Sequence, residues 1–473
     1  MASKKYPNAL NQDIDFSSIL LTVEVILFLL FFYSFAYKDF AESSRSGISL
    51  WSCLFQGKIR EFYIINEFIP VSDAFGSTSA IYDFPIYIVF AIWNLPNYIY
   101  ESITGLNSLD NTFFIFWSKS ICLPFIIGIM VSIKRILKLY ALNIPYSELI
   151  MYSLSSIFVF TPITVMGQYD AISLFFMILG VEAYIKEEEK RFCFMFGIAT
   201  LFKPFALFCF FPLLLIRYKA ITKIISDSIR CFSLILICKI LQNLLFLKGT
   251  VADSILNNHF ADFIFESNVP LFYNGTSLFV FAYVVFLLYC YLIQKDSKFG
   301  GIYWSLFSLM IFFTTSLTHP QWTLLLWPFC TILIFSTPKK TIGLIIDTIA
   351  SIGLILAQIS YYYWVFSTDT VRHSTLGKAL YPATDYNDSV YNLLYELGFP
   401  ASICDPLILI GGGIFLGAIC FFLYWSNQRN AKKIENEWII DTVLIKHEKI
   451  IYLIRILTFT IIGFALIATA IGG

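Results

Sequence analysis

The chain has 473 residues, of which 58% are hydrophobic and 14% charged, and its 32 Lys and Arg balance its 32 Asp and Glu. Soluble domains carry about 25% charged residues, so this composition is short of the groups that face water. Apolar runs long enough to cross a bilayer recur from end to end, which excludes a soluble enzyme, a disordered chain and a nucleic-acid binder with a basic face. The sequence therefore predicts an all-α, polytopic membrane protein with a single membrane domain over residues 1–473.

The apolar segments, taken in chain order, predict about 13 transmembrane helices. The first extends from Phe16 to Tyr37; it is longer than the apolar core of a signal peptide and lacks a small-residue cleavage site, so we predict an uncleaved span. The pair 192–202 and 203–217 could also form one helix kinked at Lys203-Pro204. The predicted spans after the first are 113–133, 146–166, 170–185, 192–202, 203–217, 224–247, 278–294, 300–318, 323–337, 341–364, 405–425 and 449–471.

Segment 83–100 is apolar enough to cross the membrane, but its prolines and clustered aromatic residues are typical of an interfacial or re-entrant element. If it does not cross and 192–217 crosses twice, one side of the membrane holds 20 lysines and arginines and the other side holds 8. Such a bias marks the side with 20 as cytoplasmic. We therefore predict that the N-terminus and segment 426–448 are cytoplasmic and that the C-terminus is external. The predicted outer loops are 38–112, 248–277 and 365–404.

Motifs for nucleotide cofactors are missing from the sequence. It has no Walker A loop and no glycine-rich dinucleotide fingerprint, which argues against ATP-driven transport and nucleotide-sugar chemistry. The ten cysteines form no C-x-x-C motif, and only Cys53 and Cys404 lie in predicted loops, where they could pair on an oxidising side. Any chemistry is therefore expected at the outer membrane face.

Ionisable side chains at the outer ends of spans are candidates for that chemistry, because they are costly at a membrane unless they are used. Gln168 and Asp170 lie in a very short turn before span 170–185, although Asp170 could simply cap the helix. Lys203 precedes a proline in the next outer turn. It could bind a phosphate as a point charge, or extend to the lipid headgroups.

A later outer turn contains His319, Gln321 and Trp322. A lone histidine at an interface is commonly structural, but the neighbouring Gln321 and Trp322 are typical of carbohydrate contacts. This turn is therefore a candidate for binding substrate.

The first outer loop, 38–112, holds the remaining candidates. Asp39 and Glu42 lie directly beyond the first span, and Asp83 heads the ambiguous segment; each alone could be only a solvated carboxylate. Between them, the stretch from Gly47 to Tyr63 has an amphipathic pattern, which predicts a helix lying in the membrane interface. Its apolar side is predicted to contain Trp51, Leu54, Phe55 and Phe62.

Together these features resemble the GT-C superfamily, integral membrane glycosyltransferases that use polyprenyl-phosphate sugars. The layout of spans and loops is similar over most of the chain, whereas the motifs are short. The late turn THPQWTLLLWP resembles the T-S-Q-Y-F-L-W element of the GPI mannosyltransferase I family, and YDFPIY is similar to the D-Y-P-P-L element of the dolichyl-phosphate-glucose-dependent glucosyltransferases. The second proline of that element is missing after Pro85, and the acidic start of the loop matches no clear family motif.

The resemblance implies a GT-C-like bundle that transfers a hexose, with inversion, from a polyprenyl-phosphate donor to an envelope glycan or a lipid-linked acceptor. A carboxylate would deprotonate the acceptor hydroxyl. The candidates for this base are Asp39, Glu42 and Asp83. Lys203, with Arg45 or Arg372 as further candidates, would neutralise the leaving phosphate, so no metal ion or other cofactor is required.

Substrate binding is implied for the remaining candidates. Asp170 and Gln168 would position the donor or acceptor sugar, whereas His319, Gln321 and Trp322 would bind phosphate or sugar hydroxyls. The sugar, the acceptor and the linkage are left open. Low alanine and high isoleucine, phenylalanine, tyrosine and lysine contents fit an AT-rich genome, and without an organellar signal we expect the plasma membrane of a bacterium.

Two other functions remain open. A flippase for lipid-linked glycans would need matched internal repeats and cations buried in the membrane, and Lys119, Arg230 and Lys239 lie within predicted spans. A glycan polymerase or ligase would rely on arginines in large outer loops, where this chain has few. The carboxylates of the first loop therefore favour the glycosyltransferase.

Overall fold

A computed structural model describes residues 9–73, 75–251, 268–269, 275–293, 300–316, 318–337, 339–361, 364–372, 389–404, 406–431 and 446–469. This described part is helical apart from turns and two short antiparallel pairs of strands. The predicted outer loops 248–277 and 365–404 and the predicted cytoplasmic segment 426–448 lie partly outside it.

The first third of the chain begins with the long helix α1 (Ala9–Ser34), which is followed by the elements of the predicted first outer loop. These elements are α2 (Lys38–Phe55), α3 (Phe62–Ile65), β1 (Ile69–Ser72), β2 (Gly76–Thr78), α4 (Phe84–Trp93), α5 (Leu95–Thr104) and α6 (Thr112–Lys119), with 3-10 turns at Ile59–Glu61 and Ser108–Asp110.

The middle of the chain is a series of helices. They are α7 (Cys122–Leu139), α8 (Tyr146–Leu154), α9 (Ile157–Val159), a π-helical turn (Phe160–Val165), α10 (Asp170–Ile185), α11 (Glu189–Phe202), α12 (Ala206–Arg217) and α13 (Ile221–Leu245).

The remaining elements begin with β3 (Asn268–Val269), which pairs with β4 (Thr276–Ser277). They continue with α14 (Leu278–Leu292), α15 (Gly300–Thr315), a 3-10 helix (Pro320–Leu326), α16 (Trp327–Phe335), α17 (Lys340–Tyr361), α18 (Thr368–Arg372), α19 (Val390–Glu396), α20 (Ala401–Cys404), α21 (Leu407–Ala431) and α22 (Lys446–Thr469).

Several of these helices are able to cross a membrane by length and apolar composition. The five stretches are Ser17–Ser34, Thr112–Leu139, Lys340–Ser360, Ser402–Asn427 and His447–Thr469. A sixth arises if the pair Tyr146–Leu154 and Ile157–Val165, which meet at 71°, forms one broken span. Predicted span 224–247 coincides with α13, which is 25 residues long but is not among these apolar stretches, and the other predicted spans coincide with shorter helices. The multi-pass, helical membrane character is thereby confirmed, whereas crossing by 13 helices remains a prediction.

The ambiguous segment 83–100 forms two helices, α4 and α5, of 10 residues each. At 1.5 Å per residue each is about 15 Å long, half the thickness of the hydrocarbon core. The break between them is fixed by side chains: the indole N–H groups of Trp93 and Trp117 each donate to the other residue's carbonyl at 2.8 Å. The segment therefore folds against α6 rather than crossing as one helix.

Helix α2 differs from the predicted interfacial helix in both of its ends. It begins at Lys38 and ends at Phe55, because the chain turns at Gly57 with a φ of 70°. Phe62 therefore lies beyond the helix and is buried, whereas Phe55 is exposed. Gly47 lets α2 approach α4 closely, since a Cβ there would lie 2.7 Å from the Phe90 carbonyl carbon.

Two apolar cores position the predicted outer face of the protein. The larger one joins α1, the helices from α7 to α12 and the C-terminal helices. A smaller one packs α2, α3 and α4 against Tyr169, at the start of α10. Cys53 and Cys404 are both buried, free thiols, so the disulfide considered for them is not formed.

Candidate active site

Asp39 and Gln168 meet where the predicted first outer loop covers the start of α10. Asp39 lies in the first turn of α2, and its Oδ2 accepts a hydrogen bond of 2.8 Å from the Gln168 amide. Burial raises the pKa of the Asp39 carboxyl, while the Gln168 bond and the positive charges of Lys203 and Lys38 oppose that shift. The carboxylate is therefore held in one orientation, with a basicity above that of an exposed aspartate.

Lys203 and Asp170 form an ion pair beside them. Lys203 has an extended backbone, with φ −151° and ψ 129°, because Pro204 disfavours a helical conformation at the residue before it. This ends α11 and directs the Lys203 Nζ to within 3.1 Å of Asp170 Oδ1. The structure thus breaks the chain at Lys203-Pro204 into two helices, α11 and α12.

Asp170 could have been only a helix cap. It is the first residue of α10, but in the described part of the chain no backbone N–H donates to its carboxylate. Burial would lower the pKa of Lys203, but the negative charge of Asp170 outweighs it, with help from Tyr82 and Asp39, and the pKa is raised. Lys203 therefore remains a cation at the centre of the cluster.

Two tyrosines that we did not predict enclose this cation. The Lys203 Nζ lies 4.9 Å from the centre of the Tyr82 ring and 5.1 Å from that of Tyr169, within the range of a cation–π contact. Both residues belong to short motifs that we had singled out for their carboxylates, Tyr82-Asp83 and Tyr169-Asp170. The signal in the sequence is the tyrosine that directly precedes each acid.

Glu42 lies one turn after Asp39 on α2. Burial and then the negative charge of Asp39 raise the pKa of Glu42 to about 7, with Lys38 acting in the opposite direction. A carboxylate with that pKa is matched to proton transfer at neutral pH. The two acids of the loop start are therefore close enough to influence each other's ionisation.

The late turn forms an aromatic wall on the same side. The ring centres of His319 and Trp322 are 4.9 Å apart, and that of His319 is 6.2 Å from that of Trp364. Trp364 in turn packs on Tyr37, at 5.5 Å, just before α2. Trp364 and Tyr37 were not predicted, because each lies at the end of an apolar run, where aromatic residues are common in this sequence.

His319 is electrostatically linked to the ion pair. Burial lowers the pKa of its imidazole, an effect that Asp170 opposes and Lys203 reinforces. The ring is therefore neutral at pH 7 and can both donate and accept hydrogen bonds. Nearby, Gln321 Oε1 is buried and accepts no hydrogen bond from the described residues, which leaves it for a ligand.

The Asp83 carboxylate points away from the Asp39–Lys203 cluster. Its carboxylate pairs with Lys239 of α13, and the backbone N–H of Phe84 donates to Gln242 of the same helix at 3.1 Å. The turn that begins α4 therefore directs Tyr82 towards Lys203 and Asp83 towards α13. Of the three acids proposed as the base, the structure places Asp39 and Glu42 at the cluster.

Beyond the cluster, α2 leads to a cleft of about 550 Å³. The rings of Phe55 and Tyr98 stack at its edge, with centres 5.6 Å apart. Arg45 borders the cleft and is held by Glu101 through bonds of 2.9 and 3.0 Å. Arg45 is thus committed to an ion pair, and the side chain of Arg372 lies outside the described part.

The described residues contain no group of three or more His, Cys, Asp and Glu side chains placed to hold a metal ion.

Comparison with known proteins gives a distant likeness in fold. No protein-family model matches the chain, and no curated protein matches it. A solved structure with a similar fold is the crystal structure of ArnT from Cupriavidus metallidurans in the apo state. It matches 92% of this chain and 84% of that chain, with 13% sequence identity and a TM-score of 0.35. At that TM-score the likeness supports no assignment of activity, which therefore rests on the cluster itself.

Proposed function

We propose that the protein is an inverting GT-C-type glycosyltransferase. It transfers a hexose from a polyprenyl-phosphate donor to an envelope glycan or a lipid-linked acceptor at the outer face of the membrane. The observation that carries the proposal is a partly buried carboxylate, Asp39, that lies close enough to a partly buried cation, Lys203, for each charge to act on the other, among apolar helices able to cross a membrane. Sugar transfer from a lipid phosphate requires such a base and such a cation.

The reaction follows from these two groups. Asp39 accepts the proton of the acceptor hydroxyl, whose oxygen attacks the anomeric carbon from the face opposite the phosphate. The new glycosidic bond forms as the bond from carbon to the phosphate oxygen breaks, which inverts the configuration. The phosphate retains the electron pair, and the ammonium of Lys203 stabilises its added charge, so no proton donor or metal is needed for departure.

The surrounding residues would hold the two substrates. Asp170 keeps Lys203 in place and, like Gln168, offers polar atoms to sugar hydroxyls. Neutral His319 and Gln321 can bind further hydroxyls, and the face of Trp322 suits an apolar sugar face. Together they would provide polar atoms and an aromatic ring, which is the chemistry of a carbohydrate site.

The acceptor is proposed to extend along α2. Its polar residues Glu42, Arg45, Ser52 and Gln56 recur at helical spacing and run from the cluster to the cleft. From Glu42 to Gln56 the helix rises by about 21 Å, enough for several sugar units. The stacked Phe55 and Tyr98 would hold the distal part of an extended glycan.

The pairing of the other cations favours this function over the two alternatives. Of the cations that a flippase could use, Arg230 pairs with Asp227 at 2.6 Å and Lys239 pairs with Asp83. Lys119 is bonded to backbone carbonyls. A polymerase or ligase would need free outer arginines, yet Arg45 is held by Glu101. A bacterial plasma membrane remains the proposed location.

Purified protein in lipid vesicles tests the proposal. The vesicles contain a polyprenyl-phosphate hexose labelled in the sugar, together with an acceptor extract from the source envelope. A glycosyltransferase consumes the donor, releases polyprenyl phosphate and labels the acceptor in equal amounts. Movement of intact donor between leaflets without its cleavage would instead identify a flippase.

A further inference from the structure

Lys119, the last residue of α6, is fully buried and binds three backbone carbonyls. Its Nζ donates to the oxygens of Phe32, Phe35 and Thr164, each at 2.7 Å. An ammonium has three N–H donors, so all of them are used. Lys119 therefore cannot neutralise a substrate phosphate in the way that Lys203 can.

The three carbonyls belong to the two segments that deliver Asp39 and Gln168. Phe32 and Phe35 lie at the C-terminal end of α1, four to seven residues before Asp39, and Thr164 lies four residues before Gln168. The last carbonyls of a helix have no partner within it and carry partial negative charge, which favours a cation there. Lys119, on α6, therefore connects the segment that precedes Asp39 to the segment that precedes Gln168.

The chain beyond Thr164 also wraps around this side chain. Gly167, directly before Gln168, has a φ of 68°, and a Cβ there would lie 2.5 Å from the Cγ of Lys119. Only glycine suits both this conformation and this contact. The turn that carries Gln168 is thus shaped against the Lys119 stem, while the Phe32 ring covers the ammonium at 4.2 Å.

We propose that Lys119 is a positioning residue, which acts by fixing Gln168 against Asp39 and so sets the orientation of the base. The inference rests on the proposed function only in that Asp39 is taken as the base. The bond that Lys119 preserves, from the Gln168 amide to Asp39 Oδ2, lowers the pKa of Asp39 against the effect of burial. Loss of Lys119 should therefore raise that pKa.

The test compares Lys119→Met with Lys119→Arg and Lys119→Gln, which retain donors. Lys340→Met is the control, since the Lys340 side chain is also largely buried but lies between Glu148 and Glu448, far along the chain from the cluster. The pKa of Asp39 is read in detergent by infrared difference titration against Asp39→Asn, which needs no activity. Thermal unfolding identifies variants that fold.

Lys119→Met is expected to raise the pKa of Asp39 and to lower kcat at least tenfold, with the KM for the lipid donor unchanged because Lys203 is intact. Gln168→Ala should give the same pKa shift and add nothing to Lys119→Met, because both act through one bond. At least one of Lys119→Arg and Lys119→Gln should recover part of the loss, whereas Lys340→Met should leave the pKa of Asp39 as it was.

An unchanged pKa of Asp39 in all folded Lys119 variants would overturn the inference, as would a shift that adds fully to that of Gln168→Ala. If the wild-type protein transfers no sugar, the proposed function fails, but the titration still decides whether Lys119 positions Gln168 against Asp39.

Discussion

Two lysines with largely buried side chains, one at each predicted end of the bundle, show that the same residue type can have different roles. At the predicted cytoplasmic end, Lys340 of α17 lies 2.5 Å from Glu148 of α8 and 3.0 Å from Glu448 of α22. At the predicted outer end, Lys203 has one close carboxylate oxygen, from Asp170, and two tyrosine ring faces. Lys340 joins three helices through its two carboxylate partners. Lys203 has weaker contacts, which a phosphate can replace.

The acids of the two regions differ in the same way. Glu148 and Glu448 are anchored on one cation, and Glu448 also accepts a bond from Thr341 at 3.1 Å. Asp39 accepts a hydrogen bond from the neutral amide of Gln168. Beside it, burial and the charge of Asp39 raise the pKa of Glu42 to about 7. A membrane protein can therefore tolerate buried charge for stability at one end and keep basic carboxylates for proton transfer at the other.

The largest expected effect contrasts Asp39 with Glu148. Asp39→Asn is nearly isosteric and removes only the ability to accept a proton, so sugar transfer should fall by about 10² to 10⁴-fold with folding retained. Glu148→Gln should instead lower the unfolding temperature and leave the turnover of folded protein intact. Transfer of labelled hexose and thermal unfolding give the two readouts.

The controls for this prediction are the other acids of the first loop, Glu42→Gln and Asp83→Asn. Full activity of Asp39→Asn together with loss in Asp83→Asn would transfer the role of base to the Tyr82-Asp83 turn. Activity in all three variants would end the enzyme proposal. Asp170→Asn should reduce transfer by a smaller factor, because it disturbs the position of Lys203 rather than proton removal.

Lys203 should give the next largest effect. Lys203→Met removes an ionic contact to phosphate worth about 1.5–3 kcal/mol, which corresponds to roughly a 10- to 150-fold loss in kcat/KM for the donor. Lys340→Met, its counterpart at the other end, should reduce stability without changing that ratio. Equal kcat/KM in the two variants would mean that Lys203 serves the fold alone.

How far the sequence predicted this site depends on the distance between partners along the chain. Asp39, Gln168, Asp170 and Lys203 each flank a short turn between apolar helices, and turns on one side of a membrane are brought together by the bundle. That reasoning needs only span order and charge bias. The helical membrane class was predictable for the same reason, because about 20 apolar residues suffice to identify a span.

Asp83 shows where such reasoning ends. Its direction is decided by Lys239, which lies 156 residues further along the chain, and no local pattern predicts that pairing. The start of α2 is a similar case, because the chain from Lys38 to Phe55 becomes one helix by packing on α4 rather than by periodicity alone. The tyrosines around Lys203 were missed because aromatic residues are abundant throughout this sequence.

The acidic pair should be visible in the pH dependence of transfer. Burial raises the pKa of Asp39, and burial together with the charge of Asp39 raises the pKa of Glu42 to about 7. With Asp39 as the base, kcat/KM falls about tenfold per pH unit below an acid limb that lies above the usual range of an aspartate, and Glu42→Gln keeps that limb. A limb near 7 that disappears together with activity in Glu42→Gln would identify Glu42 as the base instead.

The smallest expected effect concerns the cleft at the far end of α2. Phe55 lies at the edge of the cleft and stacks on Tyr98, whereas its neighbour Leu54 is also exposed but does not line the cleft. Loss of one aromatic contact with a sugar, worth about 0.5–1.5 kcal/mol, should raise the KM for the acceptor by about 2- to 13-fold in Phe55→Ala. The KM for the donor should stay constant, because the donor phosphate is bound at Lys203, and Leu54→Ala should change neither value. Equal increases in Phe55→Ala and Leu54→Ala would show that this end of α2 contacts lipid rather than glycan, since only a membrane surface would respond to both side chains alike.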